Sequence, residues 1–209
     1  MNRAPRRPVK PGAAVRHWAY RHGMPFSLPI ETDRLILRRY TEADYDDLLK
    51  LQSNDDVARF LLYDAKTPEQ VRESLAGRLA DVAMDTDGQA LTLAAVLRET
   101  GQHLGEVTLF VHSAEHRSGE IGFVFHPESH GHGYASEASV ELLRLGFEQL
   151  GMHRIIGRLD HRNTSSANLL RRLGMRQEAH FVRNEFLKGE WTDELVFAML
   201  ADEWTRRSK

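Results

Sequence analysis

Residues 126–137 read H-P-E-S-H-G-H-G-Y-A-S-E, and they hold the clearest chemical signal in the chain. Gly131 and Gly133 can take backbone angles that other residues avoid, which lets successive N–H groups turn toward one point. The apolar run 121–125 ahead of them has strand composition, Pro127 ends it, and an amphipathic pattern follows. Strand, glycine loop and helix in that order set those amides at the positive end of a helix, a cradle for a phosphate or pyrophosphate. The competing reading is a plain turn, for which glycines serve equally well. His112, His116, His126, His130 and His132 cluster in sequence around the loop. They have no carboxylate partner at fixed spacing, and the loop is glycine-flexed, so no metal site is expected. A dinucleotide fold would want a third glycine where Ser136 stands, and no Gly-Lys-Ser/Thr marks a Walker-type loop.

The elements that must position this loop follow from periodicity. Around Ile30 to Tyr40, Leu35 and Leu37 fall on one face of a strand and Ile36 on the other. Thr41 and Asp44 form a capping-box pair ahead of a helix with Leu48, Leu49 and Leu51 as its apolar stripe. Thr67, Pro68 and Gln70 open a second helix, which carries Val71, Leu75, Leu79 and Val82 and is followed by Gly88. Residues 90–98 and 104–112 read as two strands joined by a tight turn, and the strand before the loop makes a third. After the loop, Ala135, Ala138, Leu142, Leu145 and Leu150 mark the buried face of a helix stopped by Gly151. The next strand covers residues 154–160, a helix covers 163–173 and ends at Gly174, and residues 180–188 and 191–200 pair as a closing hairpin. Strand, helix, strand with a crossover of this length is a right-handed unit whose strands lie parallel. The fold class is therefore α/β, with a mixed, mostly antiparallel sheet that turns parallel around the glycine loop.

Composition bounds what such a fold does. With 209 residues, 41% hydrophobic content and a formal charge of −2, the chain is one domain with room for a real core. The absence of cysteine removes disulfides, thiolate metal sites and a cysteine nucleophile. No run of about 18 apolar residues spans a membrane, and cytoplasmic residence is the default expectation. Residues 1–27 hold Arg3, Arg6, Arg7, Lys10, Arg16 and Arg21 with no acid, broken by prolines, and read as a flexible basic tail ahead of a domain at 28–209. It lacks the apolar core of a secretory signal.

Four segments, in this order and spacing, carry a resemblance: T-D-R-L-I-L-R at 32–38, E-I-G-F-V-F-H-P at 120–127, H-G-H-G-Y-A-S-E-A at 130–138, and N-T-S-S-A-N-L-L-R-R-L-G-M at 163–175. The sequence resembles the GNAT superfamily of acetyl-CoA-dependent N-acetyltransferases, closest to its ribosomal-protein serine/alanine N-terminal acetyltransferase branch. The resemblance implies a sheet with a splayed parallel pair, helices on both faces, and acetyl-CoA as acyl donor. It places the pyrophosphate against the amides of His132, Gly133, Tyr134 and Ala135, with His130 standing where relatives carry glutamine or arginine and Gly131 as an extra glycine. It sets the pantetheine arm as a pseudo-strand along Phe123, Val124 and Phe125, and gives Asn163 a part in holding the coenzyme. Asn163 is also a natural helix cap, and the two phenylalanines are natural core residues.

For chemistry, the resemblance implies Ser166 as general acid for the departing thiolate, because Leu170 stands where many relatives place a tyrosine. It implies Glu185 as the base, although strand alternation leaves open whether Glu185 lines a cleft or faces water. An amine with a pKa near 8 to 10 is mostly charged at neutral pH, so a carboxylate must take its proton, directly or through water. Without a cysteine to carry the acetyl group, attack is direct within a ternary complex. The expected reaction is acetylation of a primary amine, such as a protein or peptide N-terminal α-amine. The alternatives are a small amine, an antibiotic or polyamine, or a non-catalytic acyl-CoA-binding module. The resemblance leaves room for a homodimer.

Overall fold

The computed structural model describes residues 26–80 and 83–207. The expected tail through residue 25, and Val82 of the second predicted helix, lie outside them. The chain runs β1 (Ile30–Glu31), β2 (Leu35–Arg38), α1 (Tyr45–Gln52), α2 (Asp55–Ala58), α3 (Pro68–Leu79), β3 (Ala90–Leu97), β4 (His103–Ser113), β5 (Ser118–Phe125), α4 (Tyr134–Arg144), β6 (Arg154–Asp160), α5 (Thr164–Arg172), β7 (Arg176–Leu187), β8 (Glu190–Leu200) and α6 (Ala201–Arg207). The strands form one sheet in the order β1-β2-β3-β4-β5-β6-β8-β7. Every neighbouring pair is antiparallel except β5 with β6.

Local signals account for most of the elements. The Thr41 and Asp44 capping box is present, and its 3-10 turn leads into α1. Thr67 caps α3 reciprocally with Gln70, and Pro68 takes the first helical position. The helix α4 does not stop at Arg144 but widens through residues 145–149, where the Leu150 N–H reaches the Leu145 carbonyl. Two elements escaped the periodicity reading. Both α2 and α6 are too short to show a stripe, and α2 is held by Asn54, whose side chain accepts from the N–H groups of Asp56 and Val57.

Alternation along the strands supplies both layers. Leu93 and Ala95 of β3 join Leu35, Leu37, Val107, Leu109, Leu142, Leu170 and Phe197 in a core under α4 and α5. Ala94 and Val96, pointing the other way, pack with Tyr40, Leu48, Val71 and Leu75 under α1 and α3. Phe26 and Leu28 pack against the first core. Fully burying an aliphatic side chain such as Leu48 or Leu142 contributes about 1.5–3 kcal/mol.

Under α1 and α3 the sheet also buries a polar chain. The Tyr40 hydroxyl donates to Glu106 Oε2 at 2.9 Å and lies 3.0 Å from His103 Nε2, which must therefore carry the proton and donate. The other ring nitrogen of His103 lies 3.4 Å from His126 Nε2, and Arg78 grips both oxygens of Glu106 at 2.9 and 2.6 Å. With both histidines neutral every donor in this chain meets an acceptor. Burial, helped by His126, lowers His103 from 6.5 to about 4, and burial lowers His126 as well.

A pH dependence follows. Between pH 6.5 and about 4 the unfolded chain binds a proton at His103 that the fold excludes, so stability is complete above pH 6.5 and falls as the medium is acidified. The limiting loss from His103 alone is about 3 kcal/mol. At Asp44, burial is outweighed by hydrogen bonds from Arg38 and Thr41 that hold it at about 2, so its stabilisation is complete above its ordinary value of 3.8 and is lost only below it, outside this range. Urea unfolding from pH 8 to 4.5 will show the decline, and His103→Gln will flatten it.

Candidate active site

The parallel pair is bonded only at Ser118 with Arg154, Gly119 with Ile155 and Glu120 with Ile156. Beyond that point β5 continues along β4 to Phe125 and β6 continues along β8 to Asp160, but the two no longer pair with each other. The facing edges of residues 121–125 and 157–160 thus present main-chain groups with no strand partner across the gap. A cavity of about 620 Å³ opens there, within the range of roughly 300–1,000 Å³ usual for small-molecule sites. Phe123, Val124 and Phe125 line it from β5, His130, Gly131 and Gly133 from the loop, Tyr134, Ala135 and Ser136 from α4, Asn163 and Ser166 from α5, and Asp56, Phe60 and Leu61 from the α2 side.

The loop has the geometry its glycines predicted. Gly131 and Gly133 both adopt φ of +81°, in the left-handed region that favours glycine. Gly133 caps α4 with no side chain over the helix end, which leaves the first-turn amides for a ligand. His130, by contrast, turns back onto its own strand: its Nε2 donates to the Phe125 carbonyl at 3.2 Å. That bond stiffens the junction of strand and loop, and it occupies one of the carbonyls expected to serve the pantetheine arm. The His132 side chain lies outside the lining; its ring stacks on Tyr134 and its carbonyl accepts from Arg34 at 2.9 Å.

Arg34 is the residue the sequence reading missed at the loop. From the turn between β1 and β2 it donates through Nε to Glu137 at 2.7 Å, pairs through Nη2 with the same carboxylate at 2.6 Å, and lies over the Tyr134 ring at 4.7 Å. Glu137 also accepts from the Arg34 N–H and the Thr32 hydroxyl. Burial opposes its charge, but those bonds prevail and hold its carboxyl below the usual range. The segment T-D-R at the start of the fold and S-E-A after the loop are thus two halves of one clamp. Ser129 was also passed over: it is buried in the lining with its hydroxyl unpaired among the described residues.

On α5, Asn163 accepts the Ser166 N–H at 3.1 Å and so acts as the helix cap while lining the cavity. The helix sits close to β6 because Gly157 faces Leu170, where a Cβ would come within 2.9 Å of the leucine. Ser166 is half-buried in the lining.

Glu185 stands apart from the cavity. It lies on the face of the sheet away from α5, paired with Arg158 at 3.2 Å. Arg158 also bonds Glu194 at 2.7 Å, and Glu120 on the neighbouring strand accepts from His112 at 2.9 Å. Arg158 thus joins Glu185 and Glu194, and Glu120 lies near enough to feel both Arg158 and Glu194. Glu120 occupies the last bonded position before the gap. Burial raises its pKa, Arg158 and His112 oppose the rise, and Glu194 adds to it, for a net upward shift. Nothing local in E-I-G-F-V-F distinguishes this carboxylate; its setting comes from β4, β6 and β8.

Residues 34–176 match the family model described as the acetyltransferase (GNAT) domain. The chain belongs to this GNAT acetyltransferase family. It is 30% identical over 175 residues to an uncharacterized N-acetyltransferase, YnaD, of Bacillus subtilis, covering 84% of this chain and 98% of that protein. It is 27% identical over 106 residues to a spermidine N(1)-acetyltransferase of Vibrio cholerae, covering 51% of this chain and 61% of the relative. The crystal structure of a GNAT-family acetyltransferase from Bacillus anthracis superposes with a TM-score of 0.74 at 28% identity, over 83% of this chain and 99% of that one. The fold is also that of the Vibrio cholerae spermidine N-acetyltransferase crystallised with CoA and spermine, at a TM-score of 0.72 and 20% identity, over 83% of this chain and 99% of that one. The sheet with one short parallel pair, helices on both faces and a gap at the glycine loop is this GNAT fold.

For this GNAT acetyltransferase the clamp makes a prediction. Arg34→Ala and Glu137→Gln will each weaken CoA binding about tenfold in titration calorimetry, and the double variant will lose less than the two single losses combined, because both remove the Arg34–Glu137 pair.

Proposed function

We propose that this acetyltransferase moves the acetyl group of acetyl-CoA to a primary amine by direct attack in a ternary complex, the amine approaching from the carboxylate-lined face. The observation that carries the reading is the parting of β5 and β6 beside an uncapped helix end. The coenzyme supplies an activated thioester; the chain's own groups do the rest. Amides of the loop and of the first turn of α4 hold the pyrophosphate. Unpartnered main-chain groups of β5 receive the pantetheine arm in the manner of an added strand, and a free N–H in 123–125 stabilises the developing oxyanion. Ser166, which lines the cavity, returns a proton to the thiolate.

For the base, two carboxylates compete. Glu185 is the one the family resemblance implies, but Arg158 holds it. Glu120 has the upward shift in pKa that a general base needs near neutral pH, it lies at the closed end of the gap, and Gly122 beside it on the same face has no side chain to obstruct approach. We assign proton acceptance to Glu120 and give Glu185 a share in attracting the cationic acceptor. Glu120→Gln will lower kcat about a hundredfold or more, and Ser166→Ala about tenfold or more, with CoA affinity preserved in both. A larger loss in Glu185→Gln than in Glu120→Gln would return the role to Glu185. Full turnover in all three would withdraw the roles given to these residues, and CoA binding without turnover of any amine by the wild-type chain would favour a non-catalytic acyl-CoA-binding module.

The acceptor class follows the charge. A peptide α-amine and a polyamine both arrive as cations, but Asp56 in the cavity wall and the three glutamates beyond the gap favour the more highly charged one. The likeness to a spermidine N(1)-acetyltransferase supports the same choice. In a coupled thiol-release assay, spermidine will turn over faster than peptides with free N-termini, and raised salt will increase KM for spermidine. Turnover confined to peptides would reverse the assignment.

A further inference from the structure

Among the side chains that line the cavity, Arg172 is the only lysine or arginine. It lies in the last turn of α5, is exposed, and makes no ion pair among the described residues. Its one side-chain contact is long: Nη2 reaches the Ser136 hydroxyl at 3.5 Å. Its neighbour differs on every point, since Arg171 bonds Asn168 and Gln177, covers the Phe197 ring, and is outside the lining. The Arg172 backbone is separately anchored, its carbonyl accepting from Arg207 at 2.8 Å, so the guanidinium is free to be used without loosening the helix end.

Ser136 is the third residue of α4, just past the amides of the glycine loop. The contact therefore sets the guanidinium beside, rather than within, the cradle that serves a pyrophosphate. Resting on the coenzyme reading given above, a second anionic group must then be matched. Acetyl-CoA carries a phosphate monoester on its ribose besides the pyrophosphate, and a dianion of that kind takes a guanidinium through paired N–H bonds better than neutral amides alone. We propose that Arg172 pairs with the 3′-phosphate of the coenzyme and makes the site select CoA over its dephosphorylated form.

The test compares the two ligands on the full chain by titration calorimetry. Wild-type protein will bind CoA about tenfold or more tightly than dephospho-CoA. Arg172→Gln will lose that preference, binding CoA as weakly as dephospho-CoA while leaving dephospho-CoA affinity unchanged, and Arg172→Lys will keep part of it. An equal loss for both ligands would overturn the inference and assign the residue to the pyrophosphate or to the fold. Unchanged affinity for both in Arg172→Gln would overturn it too. Failure of wild-type protein to bind either ligand would instead remove the coenzyme reading, and the inference with it.

Discussion

A parallel pair that bonds for three residues and then separates is the constraint on which the rest of this structure depends. Main-chain N–H and C=O groups inside a sheet are ordinarily all paired, and a buried one left alone costs about 1–3 kcal/mol. Here the first half of the sheet follows β4 and the second half follows β8, so residues 121–125 and 157–160 no longer pair with one another, and Phe123, Val124 and Phe125 line a cavity instead. An extended ligand bearing amides is the natural complement to such edges. The pantetheine arm of the proposed donor is one, and that complementarity ties the acyltransferase reading to backbone geometry.

Around the gap, charge is sorted by element. One side offers an uncapped helix end, positive-φ glycines and Arg172; the other offers Asp56 and, on the far face of the sheet, Glu120, Glu185 and Glu194. The first suits a multiply anionic coenzyme and the second a cationic amine. Arg34 belongs to neither set. Its charge is absorbed by Glu137, and its work is to hold the loop's carbonyl and helix start in place. The separation also explains how a chain with a formal charge of −2 can receive an anionic ligand: local placement, and not net charge, sets the field in a cleft.

Much of the fold was legible because its causes are local. Leu35 and Leu37 alternate with Ile36, Thr41 and Thr67 each find their capping partner three residues on, and Gly131 and Gly133 stand where positive φ is required. The hairpin ran longer than expected, β7 beginning at Arg176, because pairing with β8 continues past the apolar stretch through Arg176, Gln177 and Ala179. Much of the cavity lining was legible for the same reason, since Phe123 to Phe125, His130, Gly131, Gly133, Asn163 and Ser166 all lie within the strand, loop and helix ends that their own sequence specifies.

By itself, then, the sequence determined the elements, their order, the parallel crossover and the loop that turns amides outward, because each follows from dihedral preference, capping or periodicity within a few residues. Tertiary structure alone decided which carboxylate meets which cation. Glu137 finds Arg34 across 103 positions, Glu106 finds Arg78 and Tyr40, and Glu120 acquires its raised pKa from burial and from Glu194, against the opposing pull of Arg158 and His112 on other strands. Burial and Coulomb terms depend on distance in space, which a linear pattern does not encode. Hence the glycine loop could be read from residues 126–137, while the clamp that holds it and the buried acid proposed as the base appeared only once the strands were laid side by side.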